Sequence, residues 1–94
     1  MSVRIGDLEF DSVSYDERAD VLYLGVGTPQ QATKTYGTPQ GHAVDFDETG
    51  NVIGVTIVNA KWLSDRDGKI TITVPSLIEA SAEELAPALT PAGA

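Results

Sequence analysis

Apolar and polar residues alternate along much of this chain, a pattern typical of β-strands that bury one face. The alternation is clearest over Val52–Val58, a segment rich in β-branched residues that favour strands. Apolar residues occupy both faces of residues 21–26. We therefore predict that residues 21–26 form a central strand covered on both sides, with a partner subunit as a candidate for the second cover.

Turn signals between the strands predict two hairpins. The charged loop at residues 16–20 separates a strand that ends near Tyr15 from the strand at 21–26. The second turn, Asp47-Glu48-Thr49-Gly50, follows a strand that begins at His42, and its glycine suits a left-handed backbone position. Loops this short join antiparallel strands.

Parity within the strands predicts which side chains face the core. Three residues share the predicted buried face of the β-branched segment: Ile53, Val55 and Ile57. Gly54 in the same segment indicates a bulge or close packing. Between Phe10 and Val13 the apolar residues also change from even to odd positions, so they cannot all lie on one face of a single regular strand. Either a turn or a bulge lies there, and we favour a bulge because Asp11-Ser12 contains neither Gly nor Pro.

Two stretches lack a strand pattern. Residues 27–40 contain the tetrapeptide Gly-Thr-Pro-Gln twice, at 27–30 and 37–40, and we interpret them as a long connecting loop. Residues 59–65 carry the single tryptophan, Trp62, and are interpreted as an irregular crossing.

The C-terminal part predicts a last strand and one helix. Residues 70–74 alternate between apolar and polar, which predicts a strand with one solvent-exposed face. This strand is expected to end at Pro75. Ser76 and Ser81 each begin a helix capping box, so that one helix is predicted to run to Pro87. The chain is then expected to be one domain over residues 1–86 with a disordered tail over 87–94.

These elements predict a mainly β fold of the β-rich α+β kind. It consists of an antiparallel sheet of five or six strands built from hairpins, with one short C-terminal helix. A chain of 94 residues has little core, since it buries only about 60–65% of the surface that its unfolded form exposes. Self-association would relieve that shortage, and we expect a homodimer.

Charge and cysteine content narrow the classes of partner and compartment. The net charge is −8, from 14 acidic and 6 basic residues. Such a field repels phosphate backbones and disfavours nucleic-acid binding by this chain alone, whereas it favours a basic protein as partner or simply solubility. The chain has no cysteine, no signal-peptide pattern and no apolar run long enough for a membrane span. We expect a cytoplasmic protein that does not bind membranes.

Few residue patterns indicate catalysis or metal binding. A serine-nucleophile elbow and a phosphate-binding glycine loop are both absent from the sequence. Asp45-x-Asp47-x-Thr49-Gly50 is similar to the start of a calcium-binding loop, but Thr56 stands where the bidentate glutamate should be. A hairpin turn capped by aspartate is therefore favoured, and no metal, cofactor or catalytic residue is predicted.

Several polar and aromatic residues remain as candidates for binding. Asp16 and Asp20 flank a tight loop, and a pairing of either with the single histidine would give acid–base potential. Tyr15 and Tyr23 are predicted to pair across the first hairpin, as a contact surface or as half-buried packing. The candidate binding residues are Tyr15, Asp16, Asp20, Tyr23, His42, Asp45 and Asp47.

The two hairpins resemble a small bacterial family, domain of unknown function 2283. The motif Tyr-Asp-x-x-Ala-Asp-x-Leu-Tyr stands here as Tyr15, Asp16, Ala19, Asp20, Leu22 and Tyr23. The later turn and strand stand as Asp45, Asp47, Gly50, Val52, Gly54, Val55 and Ile57. The resemblance covers roughly residues 12–60, with a departure at Thr56 and a lengthened central loop. It implies a single small domain without an established activity. It also implies an antitoxin-like role, which rests only on the genes of some family members lying beside genes for small toxin-like proteins.

Three functions are therefore open. The first is a non-catalytic protein-interaction module that associates with itself. The second is an acidic, antitoxin-like partner that neutralises a small basic protein. The third is a small enzyme or metal-binding domain that uses Asp16, Asp20 and His42, which requires these side chains to converge in one cleft.

Overall fold

The computed structural model describes residues 3–5, 8–27, 33–73 and 78–89. Within this part of the chain the strands are β1 (Val3–Ile5), β2 (Leu8–Phe10), β3 (Ser12–Asp16), β4 (Val21–Gly25), β5 (Lys34–Gly37), β6 (Ala43–Phe46), β7 (Val52–Val58), β8 (Lys69–Ile72) and β9 (Ile78–Ser81). The helices are α1 (Ala60–Asp67) and α2 (Ala82–Leu85), followed by a 3₁₀ turn at Ala86–Ala88.

The main sheet has five antiparallel strands in the order β3-β4-β7-β6-β5. The predicted mainly β, antiparallel fold is therefore confirmed, and both predicted hairpins lie in this sheet as β3–β4 and β6–β7. Two separate hairpins, β1–β2 and β8–β9, form small sheets of their own. Strands β4 and β7 lie at the centre, which confirms that residues 21–25 form a central strand.

One face of the main sheet, called here the inner face, packs on the core. Its buried side chains alternate along each strand, as the period-two pattern predicts. They are Tyr15, Leu22, Leu24, Val44, Phe46, Val55 and Ile57. The remaining core comes from the small hairpins and helices: Val3, Ile5, Phe10, Ala60, Ile70, Ile72, Ala80, Leu85 and Ala88. The core therefore lies between the inner face of the main sheet and these small hairpins and helices.

A bulge corrects the predicted face of one residue. The pairing of β6 with β7 shifts register after Asp45↔Gly54, so that Phe46 lies opposite Val52. Val52 consequently packs against the core, and Ile53 is the extra residue that does not. The glycine signal correctly indicates irregular packing, but strict alternation is wrong at Ile53 because a bulge resets parity.

The parity change after Phe10 has a different cause from the predicted bulge. Phe10 ends β2, which pairs with β1, whereas Ser12 begins β3, which pairs with β4. The chain therefore passes from one sheet to another at Asp11, whose carboxylate accepts a hydrogen bond from the Gly27 N–H at 2.6 Å. The predicted bulge is therefore wrong. The apolar residues move from even to odd positions here because the chain passes from one sheet to another.

The predicted long loop contains a strand. Lys34–Gly37 forms the edge strand β5 and pairs with β6, although residues 28–32, with most of the first tetrapeptide, lie outside the described part. The second tetrapeptide forms the turn into β6, where the Thr38 N–H donates to the His42 carbonyl at 2.7 Å. An edge strand pairs on one side only, which explains its weak pattern.

The predicted irregular crossing is also wrong, because α1 occupies Ala60–Asp67. Only Ala60 and Ser64 are buried in this helix, so its apolar stripe is too thin to be recognised. Gly68, in the left-handed conformation with φ 74°, ends the helix and leads into β8.

The C-terminal elements differ in part from the prediction. The strand pattern at 70–74 is confirmed as β8 up to Ile72, whereas Val74 and Ser76 lie outside the described residues. Ile78–Ser81 is strand β9 rather than helix, since it pairs with β8. The second capping box is confirmed: the Ser81 hydroxyl accepts from the Glu84 N–H, and the Glu84 carboxylate accepts from the Ser81 N–H.

Folded structure continues beyond residue 86, where the sequence predicts a tail. Ala88 is buried, and Leu89 packs against the core. Residues 90–94 lie outside the described part. Among the described residues, the structure has no helix that is long and apolar enough to cross a membrane.

Candidate functional site

The loop between β3 and β4 holds Asp16 in a local turn. One carboxylate oxygen of Asp16 accepts hydrogen bonds from the N–H groups of Arg18, at 3.1 Å, and Ala19, at 3.2 Å. This is the geometry of an Asx turn, which aspartate favours because its side chain mimics a backbone carbonyl. Asp16 is therefore used in closing its own loop.

Asp20 connects the same loop to a distant helix. Its carboxylate accepts hydrogen bonds from the Tyr15 hydroxyl at 2.7 Å, the Lys61 N–H at 2.8 Å and the Trp62 N–H at 3.1 Å. Its carbonyl accepts from the Ala60 N–H at 3.0 Å. The residue that precedes the helix, Asn59, makes no side-chain cap. Asp20 thus supplies the N-terminal cap of α1 from another part of the chain.

Electrostatics at this connection keep Asp20 charged and Tyr15 neutral. Burial on its own raises the pKa of Asp20, but the hydrogen bonds from Tyr15, Lys61 and Trp62 outweigh it, and the pKa lies below its ordinary value. Burial, followed by the hydrogen bond to Asp20 and repulsion from nearby carboxylates, raises the pKa of Tyr15 to about 12. The pair is therefore a neutral phenol donating to a carboxylate at neutral pH.

Asp47 caps the second hairpin turn, as the sequence predicts. One of its oxygens accepts from the N–H groups of Thr49 and Asn51, both at 2.9 Å, and from the Thr49 hydroxyl at 2.8 Å. The Asn51 amide donates to the other oxygen at 3.3 Å. The hydrogen bonds led by the Asn51 N–H lower the pKa of Asp47. Gly50, with φ 88°, takes the left-handed position.

Asp45 belongs to a different surface from Asp47. It accepts a hydrogen bond from the Thr35 hydroxyl across the β5–β6 pair at 2.7 Å. Among the described residues, no group of three or more His, Asp and Glu side chains has the arrangement of a metal site.

His42 lies on the inner side of the sheet, just before β6, and is almost fully buried. Its Nδ1 accepts a hydrogen bond from the Val58 N–H at 3.1 Å. The backbone N–H of His42 donates to the Thr38 hydroxyl at 3.1 Å, which fixes the backbone at this turn. Burial lowers the pKa of His42, so the ring is neutral at neutral pH. Neither Asp16 nor Asp20 bonds to it.

A cavity of about 480 Å³ opens beside His42. It lies between the start of β6 and the segment that runs from α1 into β8. The Gln40 side chain is part of the lining and exchanges hydrogen bonds with the Thr73 hydroxyl at 3.2 and 3.3 Å. The lining residues are Gln40, His42, Leu63, Arg66, Asp67, Lys69, Ile70 and Thr71.

The face of the main sheet opposite the core, called here the outer face, is exposed. Tyr23 lies on it, paired with Ser14 and Thr56, whereas Tyr15 points into the core. The predicted pairing of Tyr15 with Tyr23 is therefore wrong, because the two rings occupy opposite faces. Val21 and Val58 face each other beside Tyr23 on the outer face.

The predicted site residues are thus distributed over five places. Tyr15 and Asp20 form one linked pair, Asp47 and Asp16 each cap a local turn, Tyr23 and Asp45 lie on the outer face, and His42 lines the cavity. Sequence reasoning missed the cavity's basic residues, Arg66 and Lys69. The available signal was their closeness around Gly68 in a chain with only 6 basic residues.

Comparison with protein-family models gives one finding. Residues 12–61 match the family described as protein of unknown function (DUF2283), a segment that runs from β3 to the second residue of α1. No curated protein and no solved structure matches the chain. The matched segment contains the whole five-stranded sheet, whereas most of the residues that cover its inner face lie outside the match.

Proposed function

We propose that this chain, which belongs to the family of proteins of unknown function DUF2283, is a non-catalytic interaction module that forms a homodimer through its outer sheet face. The observation that supports the proposal is the exposure of apolar side chains on the two central strands, where Tyr23 is 46% and Val58 38% exposed. An antiparallel sheet can leave one face in water, but that face then normally carries polar side chains, so apolar side chains exposed together on it indicate a surface for association. A second copy would provide the missing cover.

The register of the central strands gives this face a definite shape. Three cross-strand pairs follow one another along it: Val21↔Val58, Tyr23↔Thr56 and Gly25↔Gly54. A Cβ atom at Gly54 would approach an Asp45 carboxylate oxygen to 3.2 Å and the Leu24 carbonyl to 3.3 Å, so the Asp45 side chain lies against Gly54 and leaves no room for a side chain there. The exposed apolar part of the face is therefore its other end, at Val21, Tyr23 and Val58, which a second copy would cover.

The size of the face predicts a weak dimer. Five strands spaced by about 4.8 Å, each about five residues long at ~3.3 Å per residue, present an area on the order of 400 Å². A standard stable interface buries about 800 Å² on each partner. We therefore expect association at micromolar to millimolar concentration.

Charge distinguishes this proposal from a complex with a basic protein. Each copy carries a net charge of −8, so two copies repel each other and salt screens that repulsion. The homodimer should therefore tighten as salt rises. A complex with a small basic protein, the antitoxin-like alternative, should weaken under the same change. The absence of cysteine suits a reducing compartment, so we place the module in the cytoplasm.

Sedimentation velocity over a concentration series, at low and at high salt, tests the proposal. We expect a monomer–dimer equilibrium that shifts toward dimer at high salt. Tyr23→Thr should move the equilibrium toward monomer. Tyr36→Thr is the matched control, because Tyr36 is equally exposed at 48% but lies on the inner side of the edge strand.

Two results would contradict the proposal. One is a monomer at every concentration and salt level. The other is a dimer that Tyr23→Thr leaves intact, since the interface would then lie elsewhere on the molecule.

A further inference from the structure

The cavity beside His42 contains a hydrogen-bond donor that the fold leaves unused. The Nδ1 atom of His42 accepts from the Val58 N–H, so the neutral ring carries its proton on Nε2. Every fully enclosed side-chain polar atom of the described residues has a hydrogen-bond partner. Among the described residues Nε2 has no such partner, so it is accessible, and His42 lines the cavity.

We propose that this cavity binds a small organic carboxylate whose oxygen accepts the His42 Nε2–H hydrogen bond. A buried, neutral donor held by a backbone hydrogen bond costs little reorganisation when a ligand binds. The volume of about 480 Å³ falls in the range of small-molecule sites. The site is separate from the outer sheet face, so it does not depend on dimer formation.

Charge at the cavity selects a monoanion. Arg66 and Lys69 both line it, although the chain as a whole is acidic. Each has a carboxylate partner already: Arg66 pairs with Asp67 at 2.9 Å and Lys69 with Glu79 at 3.3 Å. These pairs are exposed and therefore weak, so a ligand carboxylate can compete for either cation. Asp67 in the lining disfavours a dianion such as phosphate.

Apolar lining accounts for the organic part of the ligand. Leu63 from α1 and Ile70 from β8 both line the cavity; Ile70 belongs to the buried core and Leu63 packs against it. An aliphatic or aromatic group would lie against them while the carboxylate faces His42. Small-molecule sites commonly combine an apolar lining with a few placed polar groups.

The experiment titrates the full chain with three monoanionic carboxylates, acetate, butyrate and benzoate, and follows the ring signals of His42 by NMR. Inorganic phosphate and the uncharged benzamide are the comparison probes. We expect at least one carboxylate to shift the His42 Nε2 signal saturably. We expect both comparison probes to bind more weakly than that carboxylate.

Two variants test the residues. His42→Asn places an amide oxygen near the position of Nδ1, which keeps an acceptor for the Val58 N–H but removes the donor to the cavity. Lys69→Gln removes one cation at an exposed position. His42→Asn should weaken binding about tenfold or more, as expected for the loss of one hydrogen bond to a charged group in a partly enclosed site. Lys69→Gln should weaken it by a smaller factor, because ion pairs at an exposed lysine are weak. Isothermal titration calorimetry with the best-binding carboxylate measures this loss.

The control variants separate this site from the rest of the molecule. Lys34→Gln removes the same charge on the edge strand and should leave the affinity unchanged. Tyr23→Thr should also leave it unchanged, so a failure of the dimer and a failure of this site are distinguishable. The proposal is overturned if none of the three carboxylates shifts His42, if phosphate binds best, or if Lys69→Gln and a folded His42→Asn bind as tightly as the parent chain.

Discussion

The two hairpin loops of the main sheet use aspartate in opposite ways. Asp47 accepts all of its hydrogen bonds from residues no more than four positions away. Asp20 accepts from Lys61 and Trp62, which lie 41 and 42 positions further along the chain. Both carboxylates have lowered pKa values. A lowered pKa alone therefore does not tell a local turn from a connection between elements.

The difference lies in what each aspartate holds in place. Asp47 shapes a turn that the strands on either side already bring together. Asp20 joins the sheet to α1 and also pairs with a buried tyrosine of β3. Removing a long-range connection affects packing at both of its ends, whereas removing a local one affects a single loop. The following substitutions test that distinction.

Asp20→Ala should have the largest effect. It removes the cap of α1, which costs about 0.5–2 kcal/mol. It also leaves the partly buried Tyr15 hydroxyl without its acceptor, which costs about 1–2 kcal/mol more. We expect a loss of about 2–4 kcal/mol in the free energy of unfolding, measured by urea denaturation with far-ultraviolet circular dichroism.

The single tryptophan gives this substitution a second measurement. Trp62 lies on α1, where the Arg66 guanidinium stacks 4.4 Å from its ring centroid. Because this stacking joins two residues four positions apart in α1, the fluorescence of Trp62 should report on the formation of the helix. Asp16→Ala is the matched control, since Asp16 lies in the same loop but binds only Arg18 and Ala19. Equal losses for the two variants would contradict the connecting role of Asp20.

Tyr15→Phe should have the second largest effect. The ring remains in the core, but the hydroxyl that donates to Asp20 at 2.7 Å is lost. A hydrogen bond to a charged group contributes about 1.5–3 kcal/mol, and we expect a loss near the lower end because Asp20 keeps two backbone donors. Urea denaturation at neutral pH measures it. An unchanged stability would show that the sheet does not need this bond.

The pH dependence of stability tests the same pair without a substitution. Tyr15 has a pKa raised from 10.0 to about 12 in the folded protein. The unfolded chain therefore releases this proton at lower pH than the folded protein does, and unfolding is favoured as pH rises. The contribution of Tyr15 is fully present below pH 10 and is lost between about pH 10 and 12.

The control for this titration is Tyr15→Phe, which cannot ionise at that position. The parent chain should lose more stability than the variant over the alkaline range, as followed by urea denaturation at successive pH values. Parallel curves for the two proteins would show that Tyr15 is not the titrating group.

The sequence predicts those parts of the structure whose interactions join residues close together in the chain. The two central hairpins and the second capping box depend on neighbours within a few residues, and their patterns are correctly interpreted. Helix α1 could not be predicted, because its cap comes from Asp20 and the local Asn59 takes the left-handed conformation with φ 58°. The strand at 78–81 was missed because its pairing with β8 overrides a local helix signal.

The candidate sites show the same limit. The role of Asp47 is predicted because every partner is local. The opposite faces of Tyr15 and Tyr23 follow from strict alternation along the hairpin, since one faces Leu22 and the other Ser14 across the strand pair. The cavity could not be predicted, because the residues at 40–42 and 63–71 that line it are far apart in the chain and meet only in the folded structure. Its sequence signal is two basic residues in an acidic chain.

Asp47→Ala should have the smallest effect on global stability of these variants. Its partners, Thr49 and Asn51, are exposed and can bind water in its place. The flanking strands stay paired through the backbone, and Gly50 retains the left-handed conformation that the turn needs. The urea midpoint should therefore move less than for Tyr15→Phe. Amide hydrogen exchange should nevertheless rise at Thr49 and Asn51 and remain unchanged in α1. Faster exchange in α1 would show that the second turn is also connected to the helix, and the contrast between the two aspartates would fail.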